Sequence, residues 1–111
     1  MTFEEILKKH GADIIALRRK LHHNPELSKQ EFLTTTILQE FLEQKGITVT
    51  KPLKTGLVAS IKRGKGKVIA FRADIDALPV KEETSLDFAS GHENVMHACG
   101  HDGHAAILAF T

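Results

Sequence analysis

The chain is 111 residues long, within the range of one domain, and its 41% hydrophobic and 26% charged residues place it with globular chains rather than disordered or membrane-embedded ones. The net charge is +1, with Lys and Arg spread through both halves and neither Trp nor Tyr to stack on bases, which argues against a nucleic-acid partner.

In chain order, Thr2 and Glu5 form a capping box, and Phe3, Ile6, Leu7, His10, Ile14, Leu17 and Leu21 recur at helical spacing. This predicts a first helix from about Thr2 to His23. The opening "MTFEEILKKH" reads as a charged helix start and not as a signal peptide, and no apolar run approaches the roughly 20 residues that span a bilayer. The expected address is therefore cytoplasmic, with no membrane partner. A single cysteine, Cys99, excludes an intramolecular disulfide and suits a reducing compartment.

His22 and His23 fall where cations complement the negative end of a helix dipole, and that structural role is the expectation for both. Pro25 disfavours helix at Asn24, and Ser28 with Glu31 makes a second capping box that opens a helix through "KQEFLTTTILQEFLEQK". Gly46 stands at the position of a C-terminal cap. "ITV" then reads as a short strand, and "GLVASIK" and "KVIAFRAD" read as a hairpin around the basic turn "RGKGK". From Asp74 onward a long irregular passage leads to a third helix expected to begin near Gly103 or His104. Two helices, a short strand, a hairpin, a loop and a helix start are the opening of an α/β layout whose buried faces still need partners, and the chain reads as the N-terminal piece of something larger.

Two clusters carry chemistry. "HACGHDGH", His97 to His104, holds three histidines, an aspartate and the only cysteine. In an extended segment His97, Cys99 and His101 share one side; in a helix His97 and His101 face together, with His104 beside His101. A thiolate and an imidazole two apart around Gly100 suit a first-row transition ion such as zinc. They are only two ligands, where a closed structural site wants four. In "RADIDALP" a hydrophobic segment ends in Asp74 and Asp76, a like-charged pair that requires a cation, a metal or a shared proton, unless both are turn residues leading into Pro79. No phosphate-binding glycine loop and no G-x-S-x-G nucleophile elbow occurs.

Taken in order, "LRRKLHHNPELSKQE", "FRADIDALPVKEET" and "SGHENVMHACGHDGHAA" closely resemble the N-terminal part of the metal-dependent N-acyl-amino-acid amidohydrolases, the hippurate hydrolase, aminoacylase, acetyldiaminopimelate deacetylase and auxin-conjugate hydrolase branch of metallopeptidase family 20. The resemblance implies a three-layer α/β/α catalytic domain with two divalent ions per subunit: manganese or zinc, with cobalt or nickel as further candidates. On this reading residues 1–111 are the N-terminal portion of that domain, lacking an inserted dimerisation domain and the C-terminal half, and the full-length member is a homo-oligomer. Cys99 and His101 would be metal ligands and Asp76 the aspartate that orients or tunes the metal centre, with Asp74, Asp102 and His104 as supporting residues around it. Asp74 stands where related peptidases place a ligand histidine. The reaction implied is hydrolysis of the amide bond of an N-acyl amino acid or short peptide. The family's Glu-Glu pair, which supplies the general base, has no counterpart in position: Glu4-Glu5 and Glu82-Glu83 lie elsewhere. The expectation for this chain alone is therefore inactivity. Two rivals remain open, a non-catalytic metal-binding fragment and a thiol enzyme with Cys99 as nucleophile and His97 or His101 as base.

Overall fold

The computed structural model describes residues Met1–Thr111 and contains five elements: α1 (Phe3–His23), α2 (Phe32–Gln44), β1 (Thr48–Thr50), β2 (Val58–Ser60) and α3 (His101–Phe110). The α1 capping box forms reciprocally, with the Glu5 N–H donating to Thr2 Oγ1 at 3.2 Å and the Thr2 N–H to Glu5 Oε2 at 2.8 Å. Leu17 and Leu21 on the inner face of α1 pack with Ile37 and Leu38 of α2 and Ala105 and Ala106 of α3. Alanines at the contact let α3 lie close to α1, since interhelical distance follows side-chain size.

The start of α2 departs from expectation. No Ser28–Glu31 box forms, because Lys29 adopts φ 70° and the Glu31 carboxylate turns back to the Lys29 N–H. The Glu26 carboxylate instead accepts from the N–H groups of Leu33 (3.1 Å) and Thr34 (2.6 Å) and from Thr34 Oγ1 (2.7 Å). A negative charge thus meets the free N–H groups of the first turn, as a capping box would arrange, but from further upstream. At the other end Gly46, at φ 77°, closes a Schellman motif: its N–H reaches the Glu43 carbonyl at 2.9 Å and that of Ile47 reaches Leu42 at 3.1 Å.

β1 and β2 pair antiparallel, with Thr48 opposite Ser60 and Thr50 opposite Val58. This corrects the expected hairpin: part of "GLVASIK" is a strand, but its partner is β1 rather than "KVIAFRAD". The connection "RGKGK" carries a dense run of like charge and no tight-turn pair such as Asn-Gly, so it does not fold the two segments back on each other. Val68, Ile69 and Phe71 consequently stand 93%, 78% and 73% exposed. Asp74 and Asp76 therefore lie outside any strand and not at the end of a laddered one.

Pairing resumes at Ala77, whose N–H donates to the Glu26 carbonyl at 2.8 Å, and Leu78 and Met96 exchange backbone hydrogen bonds of 2.9 and 3.0 Å. The long passage is thus pinned at both ends beside the α1–α2 connection. α3 starts at His101, earlier than expected, because Gly100 takes the cap position at φ 81° and its carbonyl receives the His104 N–H at 3.0 Å. Helices plus a small sheet give the α/β class expected from the sequence.

Candidate metal centre

The Leu78–Met96 pairing and the Gly100 turn bring Asp76 and the start of α3 together. Asp76 Oδ1 lies 2.9 Å from His101 Nδ1, and the Asp76 carbonyl oxygen lies 3.0 Å from the same nitrogen. Both oxygens are acceptors, so Nδ1 carries the proton and donates to them. That assigns the tautomer and leaves Nε2 with its lone pair, the arrangement by which a carboxylate orients a ligating histidine.

Cys99, two residues upstream, is exposed and free. The His104 ring centroid is 6.0 Å from that of His101, and its side chain is exposed. Asp74 is turned to Arg72, whose Nη2 donates to Oδ1 at 2.8 Å, so the cation that offsets this carboxylate is a surface guanidinium. The like-charged pair Asp74 and Asp76 shares no common partner: Asp74 pairs with Arg72 and Asp76 with His101. His97 does not join Cys99 and His101 on one side either, since it is buried while Cys99 is exposed. No group of three His, Cys, Asp or Glu side chains is gathered closely enough to hold a metal ion. What the chain presents is a thiol and an oriented imidazole, a donor pair that fits a transition ion but does not complete its coordination.

Asp102 points the other way, into the interior, and is 1% exposed. Its Oδ2 accepts from Arg18 Nε at 2.8 Å and from His22 Nδ1 at 2.8 Å, both on α1. The other His22 nitrogen, Nε2, lies 2.9 Å from Glu82 Oε1, which also accepts the Ser90 N–H at 3.0 Å, while the Thr84 hydroxyl donates to Glu82 Oε2. Burial pushes the Asp102 carboxyl up, but the hydrogen bonds from His22 and the Gly103 N–H, with the Arg18 charge, outweigh it and hold the group below the usual carboxylate range. Glu82 is held low in the same way: burial acts upward, and hydrogen bonds from Thr84, His22 and Ser90 prevail.

His22 thus corrects its expectation as a helix-dipole residue. It is 2% exposed and bridges two carboxylates distant in sequence. The signal that could have found it is the four-residue step from Arg18 to His22, which puts two hydrogen-bonding side chains on one stripe of α1 next to Leu17 and Leu21. The neighbouring His23 donates from Nδ1 to the Ala89 carbonyl at 2.7 Å, and its own carbonyl receives the Gly91 N–H at 2.9 Å. Phe88 lies under the Arg18 and Arg19 guanidiniums, 5.1 and 4.7 Å from its ring centroid. The end of α1 therefore holds the 82–91 loop as well as α3. His97, 4% exposed, has neither ring nitrogen hydrogen-bonded, and burial lowers its pKa below the ordinary imidazole value against the opposing pull of Asp102.

Residues 70–111, from the "RAD" segment through α3, match peptidase family M20/M25/M40. An N-acetyl-L-cysteine deacetylase of Bacillus subtilis is 53% identical over 97 residues, which are 86% of this chain and 23% of that protein. An N-acyl-L-amino acid amidohydrolase of Geobacillus stearothermophilus is 47% identical over 116 aligned positions covering 100% of this chain and 31% of that protein. Among solved structures, a Bacillus subtilis dinuclear metal binding peptidase of the M20 family superposes with a TM-score of 0.89 at 50% identity, over 92% of this chain and 30% of that one. The chain spans less than a third of the length of these relatives.

Proposed function

Because the chain belongs to peptidase family M20, we propose that the whole protein is a metal-dependent amidohydrolase that cleaves the amide bond of N-acyl amino acids or short peptides. The observation that carries this reading is the Asp76–His101 pair, which leaves the lone pair on Nε2 of a histidine two residues from an exposed thiol. The names of the relatives support it: a deacetylase and an amidohydrolase acting on N-acylated amino acids, and a peptidase that binds two metals.

In this proposal Cys99 and His101 hold a divalent ion, manganese or zinc, through Sγ and Nε2. Two such ions, when bound, lower the pKa of water and polarise the scissile carbonyl. Asp76 keeps His101 in the ligating tautomer and adds negative charge behind the ring, which favours a bound cation. Asp102 supports the site from inside the fold, His104 lines its exposed side, and Asp74 serves only through its pairing with Arg72.

The proton shuttle is not among the consecutive glutamates present. Glu4 and Glu5 lie in the first turn of α1, and Glu82 is occupied by His22. We therefore assign the general base and the remaining ligands to the larger part of the family fold, together with the inserted dimerisation domain that would make the whole protein a homo-oligomer. Residues 1–111 alone, in the same assignment, are catalytically inert. A thiol-enzyme mechanism finds no support, because the Cys99 thiol forms no hydrogen bond to His97 or His101 that could activate it. No helix is long and apolar enough to cross a membrane.

The test is hydrolysis of N-acetyl and N-benzoyl amino acids by the whole protein before and after chelation, with Met1–Thr111 assayed in parallel. Turnover abolished by chelator and restored by manganese or zinc, with none from the 111-residue chain, is the expected result. Turnover that survives metal removal would end the metal-dependent reading.

A further inference from the structure

We propose that His22 is a positioning residue for the metal-ligand pair: by clamping Asp102 on one side and Glu82 on the other, it sets the orientation of the first turn of α3 and with it the aim of His101 and Cys99. The inference rests on the assignment of Cys99 and His101 as ligands.

The geometry is a relay across three segments. Asp102 follows His101 directly and is the buried anchor of that turn, bonded through one oxygen to Arg18 and His22 of α1. Any rotation of the turn that moves His101 also moves Asp102 off these two bonds. The far side of His22 holds Glu82, and Glu82 holds the Ser90 N–H. This loop leads into Met96, whose pairing with Leu78 fixes the chain two residues beyond Asp76. Both partners of the Asp76–His101 contact are thus located from the one imidazole, through α3 on one side and through the loop on the other.

A stabilising role alone does not explain this choice of residues. Two carboxylates and an imidazole are buried where apolar side chains of similar volume would cost less desolvation. What a satisfied polar network adds is direction: each bond has one acceptable geometry, whereas apolar packing tolerates sliding. The buried α3 side chains Ala105 and Ala106 in the α1–α3 contact carry no polar group, so the hydrogen-bonded constraint at the helix start comes from Asp102 with its partners Arg18 and His22.

Cobalt(II) supplies a readout that needs no turnover, because a thiolate ligand gives a charge-transfer band and titration gives an affinity. In the whole protein, His22→Gln and Glu82→Gln are compared with Leu42→Ala, a core truncation on α2 outside the network. The expected result is a cobalt affinity lowered about 10- to 100-fold in His22→Gln, the range typical for loss of groups that orient metal ligands. Glu82→Gln gives a smaller loss in the same direction, and Leu42→Ala none despite its lower melting temperature. Should His22→Gln not fold, Glu82→Gln and Arg18→Met, which removes the half-exposed partner of Asp102, decide the matter. Affinities and bands unchanged in the folded network variants overturn the proposal, as does an equal loss in Leu42→Ala. If the unaltered protein itself shows no thiolate band, the assignment of Cys99 fails and this inference falls with it, an outcome distinct from a normal band that the variants leave untouched.

Discussion

Asp76 holds His101 by two oxygens at one nitrogen, the carboxylate Oδ1 at 2.9 Å and its own carbonyl at 3.0 Å from Nδ1. The two contacts divide the work. The carbonyl alone suffices to fix the tautomer, while the carboxylate contributes the charge that makes Nε2 a better donor to a metal. Asp76→Asn keeps the first effect and removes the second. We expect it to fold normally and to lose metal affinity by about 10- to 100-fold, as loss of such partners typically does. Competition of the whole protein against a colorimetric chelator measures the loss, and an unchanged constant would return Asp76 to a turn residue.

Cys99 and His101 are expected to act as separable ligands. His101→Ala removes an imidazole that the fold has oriented, whereas Cys99→Ser keeps a small polar group at an exposed position. Both variants should retain their secondary structure. Metal content per subunit after dialysis should fall in each, most clearly in the double variant. Full stoichiometry in the double variant would remove both residues from the site.

The parts of this molecule that were legible in its sequence are those whose partners are near in the chain. The Thr2–Glu5 box and the Gly46 cap each depend on residues within a few positions, and both are formed. Where the partner is distant, local pattern misleads. Ser28 and Glu31 match a capping box, yet Glu26 wins the helix start because Lys29 takes a left-handed conformation. "KVIAFRAD" has strand composition but no ladder, because strand formation needs a second edge and β2 pairs with β1 instead. His22 was least legible: the step from Arg18 marks a shared stripe of α1, but the partners that decide its role, Asp102 and Glu82, lie 80 and 60 residues away. Cys99 and His101 stood out as candidate ligands by residue type and spacing, but the burial of His97 against the exposure of Cys99 did not.

Glu26 offers a local test of the unexpected helix start. Its carboxylate accepts from two N–H groups of the first turn of α2, and caps of this kind are worth about 0.5–2 kcal/mol. Glu26→Ala should therefore speed amide hydrogen exchange at Leu33 and Thr34 severalfold, with little change in the middle of α1. Thr34→Val, which loses only the hydroxyl bond to the same carboxylate, should do less. Equal protection in Glu26→Ala would restore the Ser28–Glu31 box as the operative cap.

Glu82 gives the relay around His22 a pH signature. Its carboxyl is held below the ordinary value of 4.5 in the folded chain, although burial alone would raise it, because the hydrogen bonds from Thr84, His22 and Ser90 favour the charged form. The folded state therefore binds this proton more weakly than the unfolded state does. Linkage then requires the contribution to stability to be fully present above about pH 4.5 and to be lost as pH falls through the lower folded-state value. Asp102 contributes with the same sign, so the slope in this acid window belongs to both carboxylates. Glu82→Gln removes one of them without changing side-chain size. Its urea midpoint should be lower than that of the unaltered protein near neutral pH and should fall less steeply as pH drops below about 4.5, with chelator present so that protonation of metal ligands does not add to the slope. Parallel curves for the two proteins would mean that Glu82 titrates alike in the folded and unfolded states, and that the bond to His22 does not hold its charge.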